Sequence, residues 1–430
     1  MMPFGTRQQW RKLSGWGIPL TWIFVTISFG LVFPRLEHRL LPNLVMTMSP
    51  AAAMSICSAI ASGMIALTGI VFSLTFVMLQ FSATAYSPRL VLWVARDPVI
   101  SHAMGMFSAT FLYALFMLGW VDRDSSGKVP LISGWLVLGS LVASMGMFIA
   151  LIERLGVLQV NRMLITTSDR GREAIADLYR PANSAPAAER TGLDKLPVTQ
   201  TVTHAGRPQV IQTIDIAGLT ALAGASDAVL EVLVAVGDTP LEATPLLQVR
   251  GAKSRIDEEA LKAALKIGDE RTFEQDPKYA LRMVVDIAIK ALSPAINDPT
   301  TAVQALDQIE DLLIRLGRSR LEIGTYCDEK GAMRVVVPFP SWEDFLLLAL
   351  DEIRSYGANS VQVMRRMNAL VVNLLRVLPP ERHEVLEQWK GRLKGTINRS
   401  FAGRDEKKDA SVADRQGLGI GEDKGEAGTP

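Results

Sequence analysis

Three aspartates in the C-terminal half, Asp276, Asp286 and Asp298, are the carboxylates whose setting could support chemistry. Acid–base work needs such a group beside a nucleophile or a second titratable partner, in a pocket that shifts its pKa. Asp286 stands four residues after Arg282 and four before Lys290, a spacing that pairs charges on one helix face. Asp298 precedes Pro299 in the run Ala291-Leu292-Ser293-Pro294-Ala295-Ile296-Asn297-Asp298-Pro299-Thr300-Thr301. There its carboxylate caps free N–H groups, and proline suits the first helical position. The same helix start, with Asn297 and Thr300, could hold an anion or small ligand, although Asp298 already occupies the positive end. Asp276, Arg282, Asp286, Asn297, Asp298 and Thr300 are the candidate site of this half. No nucleophile–base set and no phosphate-cradling glycine loop accompanies them, so an enzyme is not expected.

The two cysteines, Cys57 and Cys327, lie in different halves, and His38, His102, His204 and His383 are scattered. Neither set has metal-ligand spacing, so no metal and no cofactor is expected. His102 stands near the inner end of an apolar run, where a solvated role competes with pH sensing. A formal net charge of +1 gives no concentrated basic face, so nucleic acid is not an expected partner.

A second candidate lies in the apolar N-terminal part. Ser55, Ser58, Ser62, Ala66, Gly69 and Ser73 recur at steps of three or four, and Gln80 and Thr84 extend the same face. Such a stripe can wall a polar pathway, because hydroxyls solvate what lipid cannot. It can equally serve close helix packing. The following turn, Ser87-Pro88-Arg89-Leu90 leading to Arg96 and Asp97, reads either as a gate or coupling elbow or as an interfacial bend whose arginines meet lipid phosphates.

The elements that must position these residues follow from hydropathy. Residues 16–33, 51–84, 99–120 and 129–152 are apolar runs long enough to cross a bilayer of about 30 Å. The second predicts a helix of roughly 50 Å, which must tilt or project. With the N-terminus inside, the inner flanks hold Arg7, Arg11, Lys12, Arg89, Arg96, Arg154, Arg162, Arg170 and Arg172. The outer flanks hold Arg35, Arg39, Arg123 and Lys128. Nine against four places both termini in the cytoplasm of a bacterial inner membrane. Trp10, Trp16, Trp93, Trp120 and Trp135 stand near span ends as interfacial anchors.

The expected fold is thus a membrane α-helical domain of four transmembrane helices, residues 1–155, followed by a soluble α+β cytoplasmic domain. Residues 156–197 form a helical connector and linker, and 198–252 a small β-rich module that opens with a hairpin of 198–204 and 209–215 about Ala205-Gly206-Arg207. The rhythm around Val236-Gly237-Asp238-Thr239-Pro240 resembles small lipoyl-like barrels, but no lysine stands between two methionines for covalent attachment. Residues 253–402 are mainly helical, with a hairpin about Asp328-Glu329-Lys330-Gly331 and a capping box at Ser341 and Asp344. Residues 403–430 read as a disordered tail.

Three segments, Ser87-Pro88-Arg89-Leu90, Arg271-Thr272-Phe273-Glu274-Gln275-Asp276-Pro277 and the run from Ala291 to Thr301, resemble a bacterial family of predicted membrane proteins of unknown function. The resemblance covers nearly the whole chain and implies four spans with a cytoplasmic domain. It carries no activity. Of the functions weighed, an oligomeric channel-like or transport-like protein with a cytoplasmic regulatory domain leads, with the lipid bilayer and further copies of itself as partners. A membrane-anchored sensor or scaffold, binding a ligand or protein through the cytoplasmic domain, is the alternative.

Overall fold

The computed structural model describes residues 17–85, 98–123, 129–155, 160–179 and 192–419. The chain divides into two compact units, Met1–Gln159 and Val160–Pro430.

The N-terminal unit holds four helices, α1 (Gly17–Leu40), α2 (Pro50–Ala85), α3 (Pro98–Arg123) and α4 (Leu131–Leu155). All four contain stretches long and apolar enough to cross a membrane. The third is the hub, with 44% of its apolar window buried against 11–22% for the others. Ala103, Phe107, Ala114 and Met117 of α3 form its core with Cys57, Ala61, Met64 and Val71 of α2 and Val137 and Leu151 of α4. The first helix does not stop at Phe33. It continues through Pro34 to Leu40, because the turn beyond the proline is held by tertiary contacts. Glu37 there bonds the start of α4, and Arg35 and His38 face the Trp120 ring.

The C-terminal unit opens with α5 (Val160–Leu178), followed by β1 (Val198–Thr203), β2 (Val210–Ile214), α6 (Ile216–Ala225), β3 (Val229–Val232) and β4 (Pro245–Arg250). Next come α7 (Glu258–Ala263), β5 (Leu265–Gly268), α8 (Pro277–Ala291), α9 (Pro299–Gly317), β6 (Thr325–Cys327) and β7 (Met333–Val336). The chain then runs through α10 (Trp342–Tyr356), α11 (Val361–Val377), α12 (His383–Ser400) and α13 (Arg404–Ser411).

The expected hairpin of 198–204 with 209–215 does not pair. Instead β1 lies antiparallel to β4, with Thr203 opposite Pro245, and β2 lies antiparallel to β5, with Val210 opposite Gly268. Backbone bonds His204 N to Thr244 O (2.8 Å) and Ala243 N to His204 O (3.0 Å) steer the end of β1 toward β4. Residues 205–207 therefore connect two sheets. The larger sheet has the order β1-β4-β3-β7-β6, with β3 and β7 parallel. Strands from beyond residue 253 thus complete the β-module, and Leu265, Val335 and Val337 join its core with Leu230, Leu247 and Val249.

The other layer is helical. Leu281, Val284 and Ala288 of α8, Leu306, Ile309 and Leu313 of α9, and Phe345, Leu346 and Leu350 of α10 are fully buried. On α5, Arg172 reaches across to Asp311 (2.6 Å) and Gln308 (2.8 Å) of α9. Residues 403–419, expected to be disordered, are ordered. Arg365 Nε donates to Asp409 O (2.6 Å), Asn368 Nδ2 donates to Ala410 O (3.2 Å), and buried Asp414 accepts from the Gln416 N–H. Side-chain bonds to backbone hold this polar segment where apolar burial cannot.

Candidate functional site

The serine stripe owes its position to the sequence of α2. Its buried residues are Ala53, Cys57, Ile60, Ala61, Met64 and Val71. At about 100° per residue these cluster on one side of the helix. Ser55, Ser58, Ser62, Ala66, Gly69, Ser73 and Gln80 are all exposed and centre roughly 160° away by the same geometry. The packing face and the stripe are therefore opposite faces, and the small residues do not serve contact with α3. Apolar Cys57, Ile60 and Met64 do that.

Hydroxyls on this face are compatible with an apolar surround, because a helix can satisfy them itself. Ser55 Oγ donates to Ala51 O (2.9 Å), and on a neighbouring face Thr68 Oγ1 donates to Met64 O (2.7 Å). Each such hydroxyl keeps free lone pairs that can accept a further bond. No carboxylate or cationic side chain lies between Ser55 and Gln80, so whatever touches the face meets hydroxyl, amide and methyl groups and, between Ser73 and Gln80, the exposed Phe76 ring. The elbow residues Ser87, Pro88, Arg89 and Asp97 lie outside the described residues.

One polar group of the N-terminal unit is not signalled by the local sequence around it. Glu37 is 4% exposed and accepts from Ile132 N (2.6 Å), Ser133 N (2.9 Å) and Ser133 Oγ (2.6 Å). It caps the first turn of α4 from a different helix, supplying negative charge to the positive end of the dipole. Nearby, Met46 N donates to Val129 O (2.9 Å). Glu37 falls between the apolar runs 16–33 and 51–84, and no local pattern announces a cap supplied from 95 residues away.

The polar candidates of the C-terminal unit are committed to architecture. Asp276 is 1% exposed. Its Oδ2 accepts from Arg271 Nε (2.9 Å) and Nη2 (2.7 Å), and its Oδ1 from Tyr279 N (3.1 Å) at the start of α8. Burial pushes its carboxyl up from the ordinary value, with the Arg271 guanidinium opposing. Gly237 completes this knot. Its φ is +92°, and a Cβ there would sit 2.5 Å from Arg271 Nη2 and 2.7 Å from Asp276 Oδ2. Gln275, at φ +54°, accepts from Ile214 N (3.0 Å) and donates to Ile214 O (3.3 Å). The segment from Arg271 to Pro277 thus fastens β2 and the 235–238 turn to α8.

A shallow depression beside this knot is lined by Tyr179, Gln275, Asp276, Lys278 and Phe339 among others. Burial pushes the Tyr179 phenol up, followed by the nearby Tyr326 and Asp276. Arg282 joins Asp286 (2.7 Å) and, through both terminal nitrogens, Glu352 (2.7 and 2.9 Å), tying α8 to α10. Asp298 caps α9, accepting from Thr301 N (3.1 Å) and Thr301 Oγ1 (2.6 Å), while Asn297 takes φ +48° and Thr300 is exposed. The six candidates therefore fall at three places, with Asp276 apart from the Arg282–Asp286 pair and from the Asn297–Thr300 turn. Among the described residues no group of three or more His, Cys, Asp or Glu side chains could hold a metal ion.

Known proteins place the chain without adding a chemistry. Uncharacterized proteins of Mycobacterium tuberculosis and Mycobacterium bovis are each 28% identical over 376 residues, covering 83% of this chain and 70% of theirs. No solved structure matches. A family model described as Predicted membrane protein (DUF2254) matches residues 12–373, and the chain belongs to that family.

Proposed function

We propose that this membrane protein assembles with copies of itself around the outward face of α2 and forms a channel-like or transport-like path there. The observation that carries the reading is the opposition of two faces on one helix. Ala53, Cys57, Ile60, Ala61, Met64 and Val71 pack inward, while Ser55, Ser58, Ser62, Gly69 and Ser73 point away from the unit's own core. Four spans alone seldom enclose a path, so the polar face must be completed by other subunits. An absence of charge along the stripe fits passive passage of a small polar or weakly hydrated solute better than proton coupling. Both termini lie in the cytoplasm of a bacterial inner membrane in this reading, which rests on the arginine distribution. The C-terminal unit then acts as a regulatory domain.

Reconstitution tests this. Purified protein in sealed vesicles should pass small ions or polar solutes and migrate as an oligomer in mild detergent. Ser62→Leu and Gly69→Leu should reduce flux at least tenfold with little change in thermal stability, because both positions are exposed and around Gly69 nothing lies within 4 Å. A monomeric protein that passes nothing would sink the proposal.

A further inference from the structure

The outward face of α12 carries a second pattern that the fold does not use. Leu386, Trp389, Leu393, Thr396 and Ile397 are the buried residues of this helix. Opposite them lie Glu384, Glu387, Gln388, Gly391, Lys394, Gly395 and Asn398, all exposed except half-buried Gly395. Two glycines four residues apart therefore occupy the middle of an exposed helical face. Glycine is the least helix-favouring residue after proline, and an exposed position with no steric demand has no reason to hold it. Gly391 has nothing within 4 Å of where a Cβ would be, and at Gly395 only the Arg399 guanidinium comes as near as 3.5 Å. Neither has a positive φ. Among the described residues nothing requires either glycine, whereas close approach of another helix does, since small residues let backbones meet.

Charge order along the face indicates which helix. Glu384 and Glu387 lie toward its N-terminus, with Lys394 and Arg399 toward its C-terminus. The helix dipole favours that order, but it has no bearing on the glycines between. A second α12 laid antiparallel, with the two-fold axis at Gly391, sets Glu387 against Lys394 and Glu384 against Arg399 of the other copy, twice over. A parallel arrangement sets like charges together. The face is thus complementary to itself under the antiparallel two-fold and not under the parallel one. The existing Glu387–Lys390 contact of 3.5 Å is between half-exposed side chains and is easily exchanged. From this geometry we propose that α12 is a self-association surface, pairing antiparallel with α12 of a second copy through Gly391 and Gly395.

The inference does not rest on the pathway along α2, and its readout is separate. In full-length protein with Cys57 and Cys327 replaced by alanine, Gly391→Cys places a thiol on the axis. Mild oxidation should convert most of it to a disulfide-linked dimer. Glu384→Cys, about 10 Å from the axis along the helix, is too far from its mate to bridge and should give at least tenfold less. Added to Gly391→Cys, either double reversal, Glu384→Lys with Glu387→Lys or Lys394→Glu with Arg399→Glu, should lower the yield several-fold. Mixing the two reversed proteins should restore it as a heterodimer. Ser62→Leu should leave the cross-link intact. Equal yields at Gly391→Cys and Glu384→Cys, indifference to charge reversal, or an adduct with a different protein in place of the dimer would each overturn the proposal.

Discussion

Replacing Glu37 with alanine should be the most damaging single change in the N-terminal unit that leaves its apolar packing alone. The carboxylate accepts three hydrogen bonds, two of them from backbone N–H groups at the first turn of α4. A bond to a charged acceptor contributes about 1.5–3 kcal/mol, and a negative charge at a helix N-terminus adds about 0.3–1 kcal/mol. The Ser133 hydroxyl can turn to another acceptor, so the two N–H groups set the scale. Their loss amounts to about 3–4 kcal/mol after partial relaxation. Glu37→Gln keeps one accepting oxygen but turns an NH2 toward the second donor, and should lose roughly half as much. Ser133→Ala removes one bond and should lose about 1.5–3 kcal/mol. At roughly 2–4 °C per kcal/mol for a unit of this size, Glu37→Ala lowers the midpoint by about 6–16 °C. Thermal unfolding in detergent, followed by labelling of buried Cys57, measures this directly. A Glu37→Ala protein melting within about 2 °C of the parent would refute the idea that this carboxylate holds α4.

Two further outcomes concern the C-terminal unit. Gly237→Ala must accommodate both a left-handed φ and a Cβ within 3 Å of the Arg271–Asp276 pair, so it should destabilise by about 2–4 kcal/mol in a denaturant titration. On the β6–β7 turn, the Arg334 side chain, followed by the Ala332 backbone N–H, holds the Asp328 carboxyl below its ordinary value. A depressed folded pKa means that the stabilisation is fully present above the unfolded value and is lost as pH falls through the folded one. Arg334→Met should therefore flatten the decline of melting temperature below about pH 4, and an unchanged acid limb would contradict the pairing.

What was legible in the sequence was the part written locally. Apolar runs announced the four helices, Asp298-Pro299 announced the start of α9, and Ser341 with Asp344 formed the capping box that the structure contains. The hairpin about 328–331 is present for the same reason, since its strands are neighbours in sequence. Pairing of β2 with β5 and of β3 with β7 joins segments about 50 and 100 residues apart, and no periodicity encodes a partner at that distance. Val198–Thr203 and Val210–Ile214 resemble a hairpin because two β-prone runs flank a short turn at 205–207, but strand propensity identifies a strand and not its neighbour. Asp276 was singled out as a carboxylate, yet its partners Arg271 and Gly237 could be assigned only once the 235–238 turn and α8 were brought together. The periodic serines of α2 were visible at once. Their direction was not, because a helix pattern gives two faces and leaves open which one meets the core.

The central claim, that the serine face of α2 borders water rather than lipid, is tested most directly by thiol accessibility. In vesicles holding protein with Cys57 and Cys327 replaced by alanine, Ser62→Cys should react with a small, charged, membrane-impermeant methanethiosulfonate. Ile149→Cys, exposed on α4 with 58% of its surface free and in this account facing lipid, should stay unlabelled. Labelling of Ser62→Cys at least tenfold faster than Ile149→Cys is the predicted result. Equal resistance at both positions would place the stripe in lipid or in a dry interface and contradict the account.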